Sequence, residues 1–294
     1  MKEIFVPKTF RSAALETIDQ ANAIFDEYAA QGFTLTLRQL FYQFVSRGLI
    51  ANTLREYQKL GLVMGDARLA GLVDWRHLED RTRFMRENWH FENPAAALRE
   101  IARQYGLDRW VDQPERVAVW IEKDALIGVI ERVCTDLDVA YFSSRGYTSW
   151  SQMYDAAQRF LDYEEQGQKC VVIHLGDHDP SGLDMSRDLQ ARLETFGAST
   201  TVERLALNME QVEHYNPPHN YAKLSDTRAG DYMDEYGAHS WELDALEPTV
   251  IATLIEEAVA AHRDADLWDA QVEHEESERE TLLEMARNYQ REES

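Results

Sequence analysis

Apolar residues recur with a helical period through the N-terminal part of the chain. Residues 11–31 predict an amphipathic helix that ends at Gly32. A second helix is predicted to begin at Thr36 and a third near Thr53, and a Gln or Glu stands three residues after each of them, as in a capping box. The short apolar run at 71–75 then predicts a strand. Three short helices and a small strand are typical of a helix-turn-helix or winged-helix unit.

The pattern changes after a break at residues 106–114. Short apolar runs now alternate with helical stretches. Strands are predicted at 116–123, 139–144, 169–177 and 201–207, and helices at 124–136, at 150–165 and after Pro180. Strands that alternate with helices indicate a parallel sheet, in which functional side chains gather beyond the carboxyl ends of the strands. The predicted fold is therefore a helical domain followed by an α/β domain.

Three acidic residues stand at these predicted strand ends. Glu122 closes the first strand of the α/β region, and Asp177 and Asp179 close the third, in the string HLGDHDPSG. Clustered carboxylates repel one another unless a cation neutralises them, and Mg²⁺ prefers a few carboxylates plus water and phosphate. Pro180 and Ser181 fit the start of the next helix, whose N-terminus favours anions. The sequence therefore predicts a Mg²⁺ site for phosphodiester chemistry, with Mn²⁺ able to substitute.

Three segments resemble the signature segments of a Toprim domain: WIEKDAL at 120–126, RGYTS at 145–149 and GDHDPSG at 176–182. That domain is shared by topoisomerases, bacterial primases and several nucleases. The form EK followed by D-x-D-P-x-G is most similar to the A subunit of topoisomerase VI and its meiotic double-strand-break relatives. The resemblance covers residues 115–245 and implies metal ligation by the three acids named above. The alternative is that they are ordinary loop residues.

The same family places a winged-helix domain before the Toprim domain, and its helix Arg-x-x-aromatic-Tyr carries a nucleophilic tyrosine. The segment LRQLFYQF at 37–44 resembles this helix, with Arg38 and Tyr42 in the matching places. Its apolar face is formed by Leu37, Leu40, Phe41, Phe44 and Val45. Tyr42 is therefore expected to lie off that face, displayed as a nucleophile. Packing of this tyrosine against the next domain, or simple exposure to water, stays open.

The resemblance implies a transesterification in which the Tyr42 oxygen attacks a DNA phosphorus. Because a free tyrosine has a pKa of about 10, it needs help to ionise near neutral pH. Arg38 would stabilise the phenolate or grip the phosphate, and Glu122 would ligate metal and move a proton to or from the 3′ oxygen. Lys123 is expected to touch phosphate or to be a surface lysine, and Arg145 to bind phosphate or to pair with an acid of the site.

Other polar residues have two interpretations each. Arg55 and Lys59 are one turn apart on the third helix and are expected to contact the DNA backbone, although a solvated helix face explains them equally well. Glu242 and Asp244, in SWELDAL, add carboxylates to the site or provide first-turn acids for a C-terminal helix, and the second interpretation is favoured. His178 is interpreted as a neighbour of the aspartates and not as a ligand.

Charge modifies this picture. The net charge of −23 argues against a general polyanion binder. Sixteen acidic and four basic residues lie in residues 241–294, whereas nine basic and five acidic residues lie in residues 34–86. The basic region is thus able to face phosphates. The acidic tail from about Glu273 is expected to be a solvated helix or a frayed end, and shielding of the DNA site or binding of a partner are the alternatives.

Three units follow from these patterns: a helical, winged-helix DNA-binding domain at 1–105, a Toprim metal-binding domain at 115–245, and a helical acidic extension at 246–294. The chain contains no apolar run of about 20 residues and no signal-peptide pattern, so a cytoplasmic protein without a membrane segment is expected. Cys134 and Cys170 are expected to be buried free thiols.

The chain departs from the topoisomerase VI A subunit in being shorter and in lacking a recognisable ATP-binding loop. Either a separate ATPase subunit exists or the protein acts alone. By resemblance the chain forms a homodimer, in which the tyrosine of one subunit meets the metal site of the other. Three functions remain open: a tyrosine transesterase, a hydrolytic Toprim nuclease, and a DNA-binding module whose acidic cluster is structural. RNA is not excluded as a substrate.

Overall fold

The computed structural model describes residues 2–79, 88, 90–144, 146–222, 226 and 228–292. Arg145, one of the expected DNA contacts, lies outside the described residues. Within them the chain is an α/β protein, mostly helical, with a four-stranded parallel sheet. Over the described ranges, no helix is both long enough and apolar enough to cross a membrane.

The elements are numbered in chain order. The helices are α1 Ser12–Ala30, α2 Leu37–Ser46, α3 Leu54–Leu69, α4 Pro94–Gln104, α5 Ile127–Asp136, α6 Trp150–Glu165, α7 Pro180–Thr195, α8 Met209–Tyr215, α9 Ala229–Tyr236, α10 Pro248–Ala261 and α11 Ala265–Glu292. The strands are β1 Glu115–Ile121, β2 Ala140–Ser143, β3 Lys169–Leu175, β4 Thr201–Ala206, β5 His219–Tyr221 and β6 His239–Trp241. Single 3-10 turns lie at Trp75–His77, Asp124–Leu126 and Leu243–Ala245.

The first three helices begin where the capping residues predicted. The Thr36 hydroxyl accepts a hydrogen bond from the Gln39 N–H, and the Gln39 side chain accepts one from the Thr36 N–H, which completes the capping box of α2. Thr53 caps α3 in the same way, by accepting from the Glu56 N–H. Gly32 adopts a φ of +81°, which only glycine tolerates readily, directly after α1.

The predicted strand at 71–75 is wrong. Gly71, with a φ of +71°, turns the chain after α3, and Asp74 caps the 3-10 turn that follows. Val73 is fully buried between these two turn residues, so its side chain joins the helical core without strand pairing. The apolar run is too short to form a strand once both of its ends are turns. A single parallel bridge joins Leu35 to Leu78.

The predicted parallel sheet is confirmed. The strand order is β2-β1-β3-β4, and every neighbouring pair is parallel. Each strand ends slightly earlier than its apolar run, so that Glu122 and Asp177 fall just beyond the carboxyl ends of β1 and β3. These two strands are adjacent at the centre of the sheet, with Ile121 opposite Leu175.

Both faces of the sheet are covered, as in other parallel sheets. Val117, Val119 and Ile121 of β1 point to one face, where residues of α5 and α10 complete the larger core. Ala118 and Trp120 point to the other face and pack with α6 and α7. A separate core holds the N-terminal helices together. Cys134 and Cys170 are buried free thiols, as predicted.

The C-terminal region is helical, as predicted, and it packs against earlier parts of the chain. Ile251, Ile255 and Val259 of α10 are fully buried in the larger core. The acidic helix α11 packs along α4. Its Glu275 is buried and binds Arg109. The interpretation of the tail from about Glu273 as only a solvated helix or frayed end is therefore wrong for the packed face of α11, where Glu275 and Ala286 are buried.

Candidate active site

The ends of β1 and β3 bring two predicted site residues into direct contact. The Glu122 N–H donates to the Leu175 carbonyl at 2.9 Å, and the Asp177 N–H donates to Oε2 of Glu122 at 2.9 Å. Gly176 makes this approach possible, because a Cβ there would lie 3.1 Å from the Glu122 carboxylate. Adjacent parallel strands therefore place both acids at one edge of the sheet, as the sequence predicted.

Asp179 stands at the N-terminus of α7. Its Oδ1 accepts hydrogen bonds from the Gly182 N–H at 2.7 Å and from the Ser181 hydroxyl at 2.9 Å, so it caps the helix. A Cβ on Gly182 would lie only 2.2 Å from the Asp177 carbonyl oxygen, which explains the glycine. The loop between β3 and α7 is thereby folded tightly around its two aspartates.

Burial and mutual repulsion act on these acids. Burial raises the pKa of Asp177 to about 7, and the nearby charge of Glu122 adds to the effect. Burial also raises the pKa of Glu122, with a contribution from Asp179. Both groups are therefore protonated more readily than exposed acids, and a cation bound beside them would favour their charged forms.

Lys123 lies inside this group of acids and is not a surface lysine. Its Nζ is 3.1 Å from Oδ1 of Asp177, 2.7 Å from Glu242 and 2.9 Å from Asp244. Although burial lowers it, the pKa of Lys123 is raised overall by these three acids. The ammonium group stands where a positive charge is most favourable, and its expected contact with phosphate stays a prediction.

Glu242 and Asp244 belong to the site, and the favoured interpretation as first-turn acids of a C-terminal helix is wrong. The next helix, α10, begins only at Pro248. Asp244 is almost fully buried in the 3-10 turn that follows β6, and the Leu243 N–H donates to Oδ1 of Asp177 at 2.8 Å. We call Glu122, Asp177, Asp179, Glu242 and Asp244 the carboxylate cluster.

Helix α2 reaches the carboxylate cluster within the same chain. The Arg38 guanidinium lies 2.8 Å from Oδ2 of Asp244 and also pairs with Glu242. Tyr42, one turn later, has its ring 5.8 Å from the Arg38 guanidinium carbon and borders the same cavity as Glu242. Glu242 and Asp244 lie some 200 positions after α2 in the sequence. Their ion pairs with Arg38 hold this end of α2, and with it Tyr42, at the edge of the sheet.

The expectation that Tyr42 lies off the buried face is wrong. Its exposure is 4%, and its ring packs with Phe41 in the helical core. Burial raises its pKa, and Asp244 and Glu242 raise it further, while Arg38 opposes them. The packing of this side chain on a neighbouring part of the chain was the alternative that the helical period left open. Tyr42 and Arg38 line a cavity of about 280 Å³.

The remaining predicted contacts are separate from the carboxylate cluster. Arg55 and Lys59 are exposed on α3, and Lys59 pairs with Glu56 at 3.4 Å. His178 shares a hydrogen bond with the Tyr232 hydroxyl at 2.9 Å, beside the aspartates. Both the exposed helix face and the DNA contact remain compatible with this placement of Arg55 and Lys59.

Arg204 is a site residue that sequence reasoning missed. Its guanidinium donates to the carbonyl oxygens of Gly176, Asp177 and Gly182 at 3.1, 2.7 and 2.8 Å. Burial lowers its pKa to about 10. It thus clamps the loop that carries both aspartates. Its position within an alternating strand, TVERLAL, was the available signal, because a buried-face arginine in a strand needs several acceptors.

The donor set of the carboxylate cluster fits a hard divalent cation in its chemistry. The hydrogen bonds described above use Oε2 of Glu122 and one oxygen, Oδ1, of each of Asp177 and Asp179, so the second oxygen of each carboxylate lies outside them. In the part of the chain that is described, however, no three acidic, histidine or cysteine side chains already converge on one point as metal ligands do. Lys123 fills the space between three of these acids.

The sequence matches no protein-family model, and no curated protein matches it either. The assignment of function therefore depends on the geometry of the site.

Proposed function

We propose that this protein cleaves DNA strands in a Mg²⁺-dependent reaction in which Tyr42 is the nucleophile, in the manner of the A subunit of topoisomerase VI. One observation carries the proposal. The Arg38 guanidinium carbon lies 5.8 Å from the centre of the Tyr42 ring, and Arg38 pairs with Glu242, which binds Lys123, which in turn binds Asp177. A continuous chain of contacts thus joins the candidate nucleophile to the acids at the sheet edge.

Glu122, Asp177 and Asp179 are the residues that would hold Mg²⁺. A bound Mg²⁺ supplies positive charge that neutralises the phosphate and the charge developing on its oxygens. Lys123 pairs with Asp177, and Arg38 pairs with Asp244 of the carboxylate cluster, so both bring further positive charge to the cleft. The winged-helix and Toprim assignments for residues 1–105 and 115–245 belong to this proposal.

The proposed step forms a bond between the Tyr42 oxygen and the phosphorus and breaks the bond between phosphorus and the 3′ oxygen. The phenol proton passes to Glu242, the carboxylate that borders the Tyr42 cavity. The leaving 3′ oxygen takes a proton from the Glu122 carboxyl group, and in that step Asp177 and Asp179 are the residues that would hold the cation. Because the phosphotyrosyl link retains the energy of the broken bond, the reverse step rejoins the strand.

Hydrolysis is the second candidate function, and the burial of Tyr42 favours it. A tyrosine with 4% exposure and a raised pKa is a poor nucleophile until DNA or metal neutralises the acids around it. In this alternative a water molecule attacks the phosphorus at the same carboxylate cluster. Tyr42 then only orients Glu242, and the protein is a Toprim-type nuclease.

The deciding experiment compares wild type, Tyr42→Phe and Glu122→Gln on supercoiled plasmid with Mg²⁺ or Mn²⁺, quenched with detergent with and without protease. Tyr28→Phe is the matched control, because Tyr28 is buried in the same helical core away from the acids. The proposal expects protein-linked nicked or linear DNA from wild type and Tyr28→Phe only. Cleavage by Tyr42→Phe that Glu122→Gln abolishes would assign hydrolysis, and no cleavage with either metal would remove both functions.

The expected homodimer is tested by mixing. The ion pairs of Arg38 with Glu242 and Asp244 within one chain support a site that is complete in each subunit. A mixture of Tyr42→Phe and Glu122→Gln chains should then stay inactive. Recovery of activity would assign the tyrosine and the metal site to different subunits of a dimer, as in the topoisomerase family. Supplying a candidate ATPase subunit is a separate test for ATP-driven strand passage.

A further inference from the structure

Four aromatic side chains share one face of the antiparallel ribbon formed by β5 and β6. His219 pairs with Trp241 across the strands, and Tyr221 pairs with His239. Residues two apart on a strand point to the same side, so the four rings form one surface. Their centroids are close, with 4.2 Å between His219 and His239 and 5.5 Å between Tyr221 and His239. We call these four residues the aromatic ribbon.

The outer ring of the aromatic ribbon is open to solvent. Tyr221 is 77% exposed, the most exposed large apolar side chain among the described residues, and its neighbours within the ribbon lie beside it. A rigid aromatic ring that is supported from one side and free on the other is the usual form of a stacking surface.

The aromatic ribbon borders the proposed active site. One cavity of about 540 Å³ is lined by Tyr221 and Trp241 and also by Asp177, Asp179 and Lys123. A nucleotide whose phosphate lies at the carboxylate cluster therefore has its base within reach of this ribbon. This cavity adjoins the cavity of Tyr42, because Arg38, Asn220 and Glu242 line both cavities.

Charge explains why stacking matters in this protein. Its net charge of −23 opposes a grip that depends on phosphates alone. Stacking of a base on an aromatic ring does not depend on protein charge, and it needs a base that has left the double helix. We propose that the aromatic ribbon stacks an unpaired base and that the substrate is single-stranded or locally unpaired DNA. This inference rests on the proposed function.

Binding and cleavage are measured separately to test it. The first measurement is fluorescence anisotropy of the Glu122→Gln chain with an oligothymidylate of about 20 nucleotides and with a hairpin duplex of similar length. Adding Tyr221→Ala is expected to weaken oligothymidylate binding about ten-fold or more and to change duplex binding by less than about two-fold. Adding Tyr221→Phe instead should leave oligothymidylate binding unchanged, since the aromatic ring remains.

Tyr154→Ala is the matched control. Tyr154 is another exposed tyrosine, on α6, where it packs on Phe196. It should leave both affinities unchanged. Because Tyr221 is on the surface, its removal should also leave the thermal unfolding midpoint within a few degrees of the parent, which excludes loss of folding as the cause.

Three results would overturn the inference: no oligothymidylate binding by the Glu122→Gln chain, equal binding with and without Tyr221, or equal weakening for single strand and duplex. The plasmid assay keeps this separate from the proposed function. Tyr221-dependent binding without any cleavage by wild type would retain the stacking surface and reject the catalytic proposal. If Tyr221→Ala leaves the cleavage of single-stranded and duplex DNA unchanged, the catalytic proposal is retained and the stacking surface is rejected.

Discussion

Two buried clusters of charged side chains in this protein have opposite balances of charge. Glu275 on α11 is bound by two arginines: Arg109 Nη2 lies 2.8 Å and Arg279 Nη2 lies 2.5 Å from its Oε1. The Leu107 N–H donates to its other oxygen at 3.0 Å. The carboxylate cluster instead has five acids, against which Lys123 and Arg38 make ion pairs.

The pKa values follow this difference. Arg109 and the other partners lower the pKa of Glu275, whereas burial and neighbouring acids raise the pKa of Asp177 to about 7. The Glu275 cluster stabilises the fold because its one carboxylate is paired with two arginines. A cluster with surplus negative charge costs folding free energy and is kept where a ligand supplies the missing positive charge. This contrast separates the structural cluster from the candidate active site.

The largest effect is expected from Glu275→Ala. It leaves Arg109 and Arg279 without their shared partner and should lower the free energy of unfolding by about 3 kcal/mol, with cleavage by the remaining folded protein unchanged. Urea denaturation measures the loss. Glu276→Ala, at the neighbouring exposed position, should change stability by less than about 0.5 kcal/mol. Equal effects of the two substitutions would contradict the structural role of Glu275.

Asp179→Asn should leave stability unchanged and reduce cleavage, which is the opposite of the result expected for Glu275→Ala. Asparagine is as good a helix cap as aspartate, so the free energy of unfolding should stay within about 0.5 kcal/mol. Cleavage should fall about 100-fold or more, because even partners outside the metal's own ligands are worth about 10- to 100-fold. Asp264→Asn is the control, since Asp264 caps α11 by accepting from the Asp266 N–H. Full plasmid cleavage by Asp179→Asn would remove this residue from the site.

Added Mg²⁺ should stabilise the folded protein only through the carboxylate cluster. At ten times its Kd it should raise the free energy of unfolding by about 1.4 kcal/mol in wild type, measured by urea denaturation against EDTA. Asp177→Asn should lose this gain, and Glu275→Gln should keep it. A gain of the same size in Asp177→Asn would place the bound metal elsewhere.

Lowering the pH should weaken the stabilisation by Glu275, and this is the smallest of the expected effects. Because the folded-state pKa of Glu275 is lowered, its stabilisation is complete above its ordinary pKa of 4.5 and is lost as the pH falls below that value toward the folded pKa. The difference in unfolding free energy between wild type and Glu275→Gln, measured in EDTA, should therefore shrink between pH 6 and pH 3. A constant difference over this range would mean that the carboxylate charge contributes nothing.

The confirmed predictions concern interactions between residues that are close in the sequence. The caps at Thr36 and Thr53 and the turn at Gly32 are interactions between residues a few positions apart, so the sequence pattern was enough for them. The strand at 71–75 failed because two turn residues enclose a run too short to pair. The placement of Glu122 and Asp177 at one sheet edge followed from the parallel alternation of strands and helices.

Long-range packing decided the rest of the candidate site. Lys123 meets Glu242 and Asp244 across about 120 positions, and Arg38 meets Glu242 across 204. A helical period describes one helix alone, so it placed Tyr42 outside the apolar face and gave no sign of the neighbour that buries it. The sequence by itself determined α1, α2, α3, α5, α6 and α7, the parallel sheet and its acidic edge, because these depend on neighbouring residues and on strand direction. Only the tertiary structure decided which charges surround that edge, because it depends on how α2 and the turn after β6 pack together.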